Sequence, residues 1–216
     1  MRIVDRLLSL LYPTKCTFCH KLTRDGERIC QTCRAELPRT PHGAQVQKFP
    51  FISACVSPLY YEKDVRESLL RYKFHHLTAY AEIYAVFMAE TIDENHVSCD
   101  IITWVPLSRK RLRKRGYDQA RLLAEQLSQI YRVECCRLLR KKRNNPAQSG
   151  TGSAEKRRAN VAGVYTAVEQ EKIKGKTILL VDDIVTTGST LSECARMLLE
   201  AGAKEVRAVT VARKRN

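Results

Sequence analysis

Two groups of residues in this chain have types and spacing suited to chemistry. The first is Asp182-Asp183, which follows the apolar run Ile178–Val181 and precedes Ile184-Val185-Thr186-Thr187-Gly188-Ser189-Thr190. Adjacent carboxylates can accept hydrogen bonds from two vicinal hydroxyls, as on a ribose. The hydroxyls and backbone N–H groups of Thr186, Thr187, Gly188, Ser189 and Thr190 suit a phosphate at a helix N-terminus. Gly188 permits the turn and a close approach. A phosphorylated ribose offers both a diol and a neighbouring 5′-phosphate. The second group is Cys16-Thr17-Phe18-Cys19 and Cys30-Gln31-Thr32-Cys33, two C-x-x-C pairs ten residues apart. Each pair can form a knuckle that offers two thiolates to one tetrahedral zinc ion. His20 adjoins the first pair and is an alternative ligand. So small a segment has little core of its own, so a closed, structural zinc site is expected to hold it together.

The elements that must position these residues follow from periodicity. Ala54–Tyr61 alternates as a strand, and helical stretches follow near Glu62–Tyr72 and Leu77–Ile92. Ile101–Val105 reads as a short buried strand ended by Pro106, and Tyr117–Tyr131 as a helix with Leu122, Leu123, Leu127 and Ile130 on one face. Val161–Val168, Thr177–Val181 and Glu205–Ala212 read as strands, and Ser189–Glu200 as a helix ended by Gly202. Strands alternating with helices predict a parallel, doubly wound α/β sheet. The apolar strand before Asp182 would be buried on both faces, with its carboxyl end opening into the crevice where such folds bind ligands. Leu37–Pro50, rich in proline, glycine and polar residues, reads as a linker. The expected division is therefore an N-terminal helix, zinc module and linker over 1–50, and an α/β domain over 51–216. Lys141–Arg158 is almost without apolar residues and reads as a long functional loop.

Lysine and arginine number 38 against 23 acidic residues, a formal net charge of +15. That excess favours polyanions or phosphate-rich ligands. No apolar run reaches the roughly 20 residues of a membrane helix. Ile3–Leu11, interrupted by Asp5 and Arg6, reads as a short amphipathic helix and not as a signal peptide. Nine cysteines, an odd count with four in close pairs, fit a reducing compartment and a metal site. Cys55, Cys99, Cys135, Cys136 and Cys194 read as small core residues.

The segment Ile178–Thr190 resembles the motif of type I phosphoribosyltransferases that binds 5-phosphoribosyl-1-pyrophosphate (PRPP). The whole chain resembles the ComF family, whose members join a four-cysteine zinc module to a phosphoribosyltransferase-like domain. The residues that carry this are both cysteine pairs, Tyr72-Lys73-Phe74, Val105-Pro106-Leu107, Gly116-Tyr117-Asp118-Gln119-Ala120 with Arg115 before it, and Gln148, Arg158, Asn160 and Val161. Asp118 departs from the pattern, where the family favours Asn; Asp can still cap the following helix. The resemblance implies a type I phosphoribosyltransferase-like sheet flanked by helices. It also implies a cytoplasmic protein linked to uptake or use of external DNA, with other DNA-uptake proteins as partners.

The resemblance further implies a pyrophosphate loop at Pro106, Leu107, Ser108 and Arg109, with Lys73 at a helix end within reach of the same anion. It implies a hood carrying Gln148, Arg158 and Asn160, and magnesium arriving with PRPP. Six of the seven residues Arg109–Arg115 are basic, and Arg140, Lys141, Lys142 and Arg143 form a second cluster. Lys156–Arg158 and Arg213–Arg215 are two more. Arg109, Arg111, Arg113, Arg115 and the Arg140–Arg143 cluster are expected to bind single-stranded DNA through its phosphates. Tyr117 is the nearest aromatic in sequence, so base stacking is expected to be weak. Two functions remain open: a transferase moving the phosphoribosyl group, and a PRPP-responsive DNA-binding adaptor without turnover. A PRPP-controlled transcriptional regulator is disfavoured, because no helix–turn–helix module is recognisable.

Overall fold

The computed structural model describes residues 13–24, 26–142 and 163–215. The expected helix Ile3–Leu11, the hood residues Gln148, Arg158 and Asn160, and Arg143, Lys156 and Val161 lie outside them. Four strands form the parallel heart of the sheet: β2 (Ile52–Val56), β4 (Ile101–Trp104), β7 (Thr177–Val185) and β8 (Glu205–Arg213). Their spatial order is β2-β8-β7-β4. β1 (Val46–Phe49) pairs antiparallel with β2 at the edge, and β3 (Leu59–Tyr60) pairs in parallel with β8. A separate antiparallel ribbon joins β5 (Leu139–Lys141) to β6 (Tyr165–Ala167).

Strand alternation explains how the core divides. Leu179 and Val181 of β7 face one core, with Val209 and Val211 of β8; Ile178 and Leu180 face the other. The first core is covered by α2 (Lys63–Phe74), α3 (Tyr80–Glu94) and α5 (Gln119–Tyr131). The second is covered by α7 (Ser189–Glu200) and the β5–β6 ribbon. Each helix buries residues at helical spacing. In α2 these are Val65, Ser68, Leu69 and Tyr72; in α7 they are Leu191, Cys194, Ala195 and Leu198. The doubly wound α/β reading therefore holds.

Four local readings change. The single strand Ala54–Tyr61 is two, broken at Ser57-Pro58, where proline has no N–H for the ladder. Val46–Phe49, assigned by composition to the linker, is the edge strand of the sheet. Arg109–Arg115 forms a helix, α4, between the N-cap Ser108 and the left-handed Gly116. The cysteine module also shares the main core: Cys16, Phe18, Ile29, Cys33 and Leu37 are buried with α2 and α3. Phe18 is wholly buried, its ring edge-on to Tyr84 and Phe87 at 6.1 and 5.7 Å. Short helices α1 (Gln31–Glu36) and α6 (Gln170–Ile173) complete the described elements. Among the described residues no helix is long and apolar enough to cross a membrane.

Candidate functional site

The metal-binding group is compact. The sulfurs of Cys16, Cys19, Cys30 and Cys33 all lie within 4.8 Å of one another, and those of Cys19 and Cys30 are 3.7 Å apart. The first pair is turned by the backbone bond from His20 N–H to Cys16 O. The second sits at the start of α1, where Cys30 Sγ accepts from Cys33 N–H at 3.4 Å. Burial opposes ionisation of Cys16, but backbone N–H donors from Cys30, Cys19 and Phe18 outweigh it and bring the thiol to about 7. Burial pushes Cys33 up. Four thiolates this close ionise together only around a cation, which suits zinc. His20 is not one of the set; its Nδ1 lies 3.1 Å from the Tyr80 hydroxyl.

The carboxylate pair lies near the carboxyl end of β7, within the strand. Alternation sends the two side chains to different neighbourhoods. Asp183 is buried on the α2–α5 side, where Lys73 Nζ approaches Oδ1 at 2.9 Å and Gln119 Nε2 donates to Oδ2 at 2.9 Å. Half-buried Asp182 accepts from Asp183 N–H at 2.8 Å. Withdrawal from water, and then the negative charge of Asp183, push its carboxyl well above the ordinary range. Burial is the main influence on Lys141 and Tyr165 of the β5–β6 ribbon, and the negative charge of Asp182 also favours the protonated form of each.

β7 runs directly into the hydroxyl turn. Thr186, Thr187, Gly188, Ser189 and Thr190 line a recess of about 50 Å³ together with Asp182. Gly188 has φ 71° and precedes α7, and a Cβ there would meet the Phe49 ring at 2.2 Å. Glycine is required twice over, by backbone conformation and by the ring packed on it. Thr187 Oγ1 and Ser189 Oγ lie 2.9 Å apart.

The expected pyrophosphate loop follows β4. Leu107 N–H donates to Asp118 Oδ2 at 3.1 Å, and Ser108 Oγ accepts from Arg111 N–H at 3.3 Å to start α4, which contains Arg109. Asp118 also caps α5, accepting from Arg121 N–H at 3.4 Å. Burial raises its carboxyl pKa despite these N–H donors. The structure thus joins Lys73 and Gln119 to Asp183, and Leu107 to Asp118 at the start of α5. Lys73 points to Asp183. Burial pushes Lys141 down, and the positive charge of Arg111 adds to the effect. The Arg213–Arg215 cluster is partly engaged: Arg215 pairs with Glu62 at 2.8 Å, and Arg213 lies over the Tyr60 ring.

Sequence reasoning missed Gln119 as a site residue, although it stands inside a quoted motif; only its bond to Asp183 reveals its role. It also missed Phe49, which sits far from Gly188 in sequence. Tyr72 and Tyr117 are structural partners of the crevice. Tyr72 donates to Gln119 O at 2.8 Å, and Tyr117 donates to Tyr72 O.

Two family models and several curated proteins match this chain. The phosphoribosyl transferase domain family matches residues 113–216, and the double zinc ribbon family matches residues 7–45. The chain is 26% identical over 207 residues to "Competence protein ComFC" of Bacillus subtilis, covering 84% of this chain and 82% of that protein. It is 28% identical over 200 residues to "DNA utilization protein YhgH" of Escherichia coli K12, covering 88% and 86%. It is 35% identical over 111 residues to "Competence protein F" of Haemophilus influenzae, a match that spans only 48% of that relative and 50% of this chain.

Two outcomes follow. The purified chain should carry about one zinc ion. Because Cys16, Phe18 and Cys33 lie in the main core, Cys33→Ser should remove the metal and lower the melting temperature of the whole chain, not of a detachable module. Calorimetry with metal analysis checks this; an unchanged main transition in the zinc-free variant contradicts it. The second outcome concerns Asp182. Its folded-state pKa is raised, so between the unfolded value and the folded one the native state holds the extra proton, and stability falls as pH rises through that window. Asp182→Asn should therefore stabilise the protein near neutral pH, each kcal/mol appearing as about 2–4 °C in Tm. The gain should vanish at a pH below the ordinary carboxylate range; a Tm difference independent of pH contradicts the assignment.

Proposed function

Since this chain belongs to the ComF family, we propose that it binds PRPP with magnesium, serves the uptake or use of external DNA, and also binds single-stranded DNA. The observation that carries the PRPP reading is a carboxylate pair at the end of a parallel strand that runs into a hydroxyl-rich turn at a helix N-terminus. The 5′-phosphate takes the recess lined by Thr186–Thr190 at the N-terminus of α7, where Gly188 leaves room. The ribose hydroxyls take Asp182 and the remaining lone pairs of Asp183. A carboxylate has about four acceptor sites, so the bonds from Lys73 and Gln119 leave capacity. The pyrophosphate then lies toward Pro106, Leu107, Ser108 and Arg109. Magnesium fits this oxygen-rich crevice, held mostly by the ligand's own oxygens with Asp182 and Asp183 beside it. Bound there, it would neutralise charge building on the departing pyrophosphate.

A transferase reaction breaks the bond from ribose C1 to the pyrophosphate oxygen as a nucleophile attacks. The protein's task is to position the two and to stabilise the leaving group. In the adaptor reading, PRPP occupies the same crevice without turnover. Release of pyrophosphate on adding a nucleobase acceptor, with and without DNA, separates the two.

Isothermal calorimetry tests PRPP binding. Asp182→Asn or Asp183→Asn removes a charge-assisted hydrogen bond worth about 1.5–3 kcal/mol, so affinity should fall roughly tenfold or more. Equal affinity in wild type and the double variant refutes the site. The DNA reading rests on α4, which buries none of its residues and carries six cations. Single-stranded DNA should bind with a log–log salt slope near −4 for about six phosphate contacts, and Arg111, Arg113 and Arg115 changed together to alanine should reduce it to about −2. Salt-independent binding, or none at low salt, removes the DNA reading and leaves PRPP binding standing.

A further inference from the structure

The surface beside the crevice places an aromatic ring among the cations of α4. Phe74 is the last residue of α2 and is 61% exposed. The Arg115 guanidinium lies over its ring, 4.9 Å from the centroid. One terminal nitrogen of Arg115, Nη1, is buried without a hydrogen-bond partner among the described residues. The turns that carry these two residues are packed together. His76 lies 3.6 Å from where a Cβ on Gly116 would stand, and its ring is 5.8 Å from that of Tyr117. His76 itself holds a left-handed φ of 56°, uncommon for a residue with a side chain, so the turn after Phe74 is held in a specific shape.

α4 is costly as it stands. Arg109, Lys110 and Arg111 oppose the positive end of its dipole, and like charges at i, i+3 and i+4 repel. Its seven residues are too few for a stable isolated helix, and it buries none of them. Anionic charge laid along it relieves that repulsion. A free phosphate would use the cations and leave Phe74 idle. A duplex keeps its bases stacked on one another and offers the ring nothing. A single strand supplies both phosphates and open base faces.

We propose that Phe74 and Arg115 form a base-stacking platform for single-stranded DNA, with α4 holding the flanking phosphates. The inference rests on the DNA reading above and departs from the expectation of weak stacking: Tyr117 is nearest in sequence, but Phe74 is the exposed ring beside Arg115. The probes are oligothymidylate and an abasic phosphodeoxyribose chain of equal length, titrated by fluorescence anisotropy against the full zinc-loaded protein. Wild type should prefer oligothymidylate by about tenfold, because a stacked base adds to the phosphate contacts. Phe74→Ala should bind both oligomers alike, at the wild-type affinity for the abasic chain and with an unchanged salt slope, and Phe74→Trp should keep the preference. The exposed position lets Phe74→Ala fold, which its melting temperature checks. If wild type binds both oligomers equally, or Phe74→Ala keeps the preference, the platform falls and the DNA reading stands. If neither oligomer binds at low salt, the DNA reading falls and the platform with it. If Phe74→Ala instead loses PRPP binding in calorimetry, Phe74 belongs to the PRPP crevice and the platform is overturned.

Discussion

The Lys73–Asp183 ion pair is the contact around which the crevice is organised. Both groups are largely removed from water, at 18% and 7% side-chain exposure, and a buried pair is tolerable only when its remaining hydrogen-bonding capacity is met. Gln119 meets part of it, donating to the second oxygen of Asp183. The consequence is geometric. β7 supplies the aspartate, α2 the lysine and α5 the glutamine, so three elements far apart in sequence are fixed at one point. Removing one charge would strand the other, so this arrangement resists gradual change. Tyr72 and Tyr117 reinforce it from behind, each bonding a backbone carbonyl of a neighbouring motif.

The cysteine module acts on the same helix from its other side. Ser68 of α2 donates to Thr17 O at 2.5 Å, and Arg71 reaches Phe18 O. Thr17 and Phe18 are the two residues between the first cysteine pair. A metal that fixes this knuckle therefore fixes the carbonyls that anchor α2, and α2 carries Lys73. The cysteine module is thus a buttress for the crevice wall, with Phe18 as its apolar key between Tyr84 and Phe87.

Much of this was legible in the chain, for identifiable reasons. Ile178–Val181 is wholly apolar because β7 is covered on both faces, and Ser189–Glu200 has the spacing of a helix with one buried face. The cysteine spacing carried the metal cluster directly. What escaped depended on contacts between distant residues or ran against local preference. Arg109–Arg115 has no apolar stripe to betray a helix; only its two caps, Ser108 and Gly116, mark it. Val46–Phe49 is short and half polar, and it becomes a strand because β2 offers it an edge. Phe49 has meaning only through Gly188, and Phe74 only through Arg115.

The carboxylate pair illustrates the limit most clearly. In sequence the two aspartates look equivalent, two acceptors for two hydroxyls. A β-strand cannot present neighbours in the same way, because successive side chains leave opposite faces. Asp183 falls on the helical side, finds a lysine and an amide, and becomes part of the architecture. Asp182 lines the recess of the hydroxyl-rich turn, and its ionised form is opposed by burial and by its neighbour's charge. A carboxylate so placed is poorly suited to stabilising the fold, which is the usual mark of a group kept for a ligand. The asymmetry comes from the strand's pleat and not from the residues themselves: one aspartate takes a lysine and an amide from the protein, and the other takes one backbone N–H.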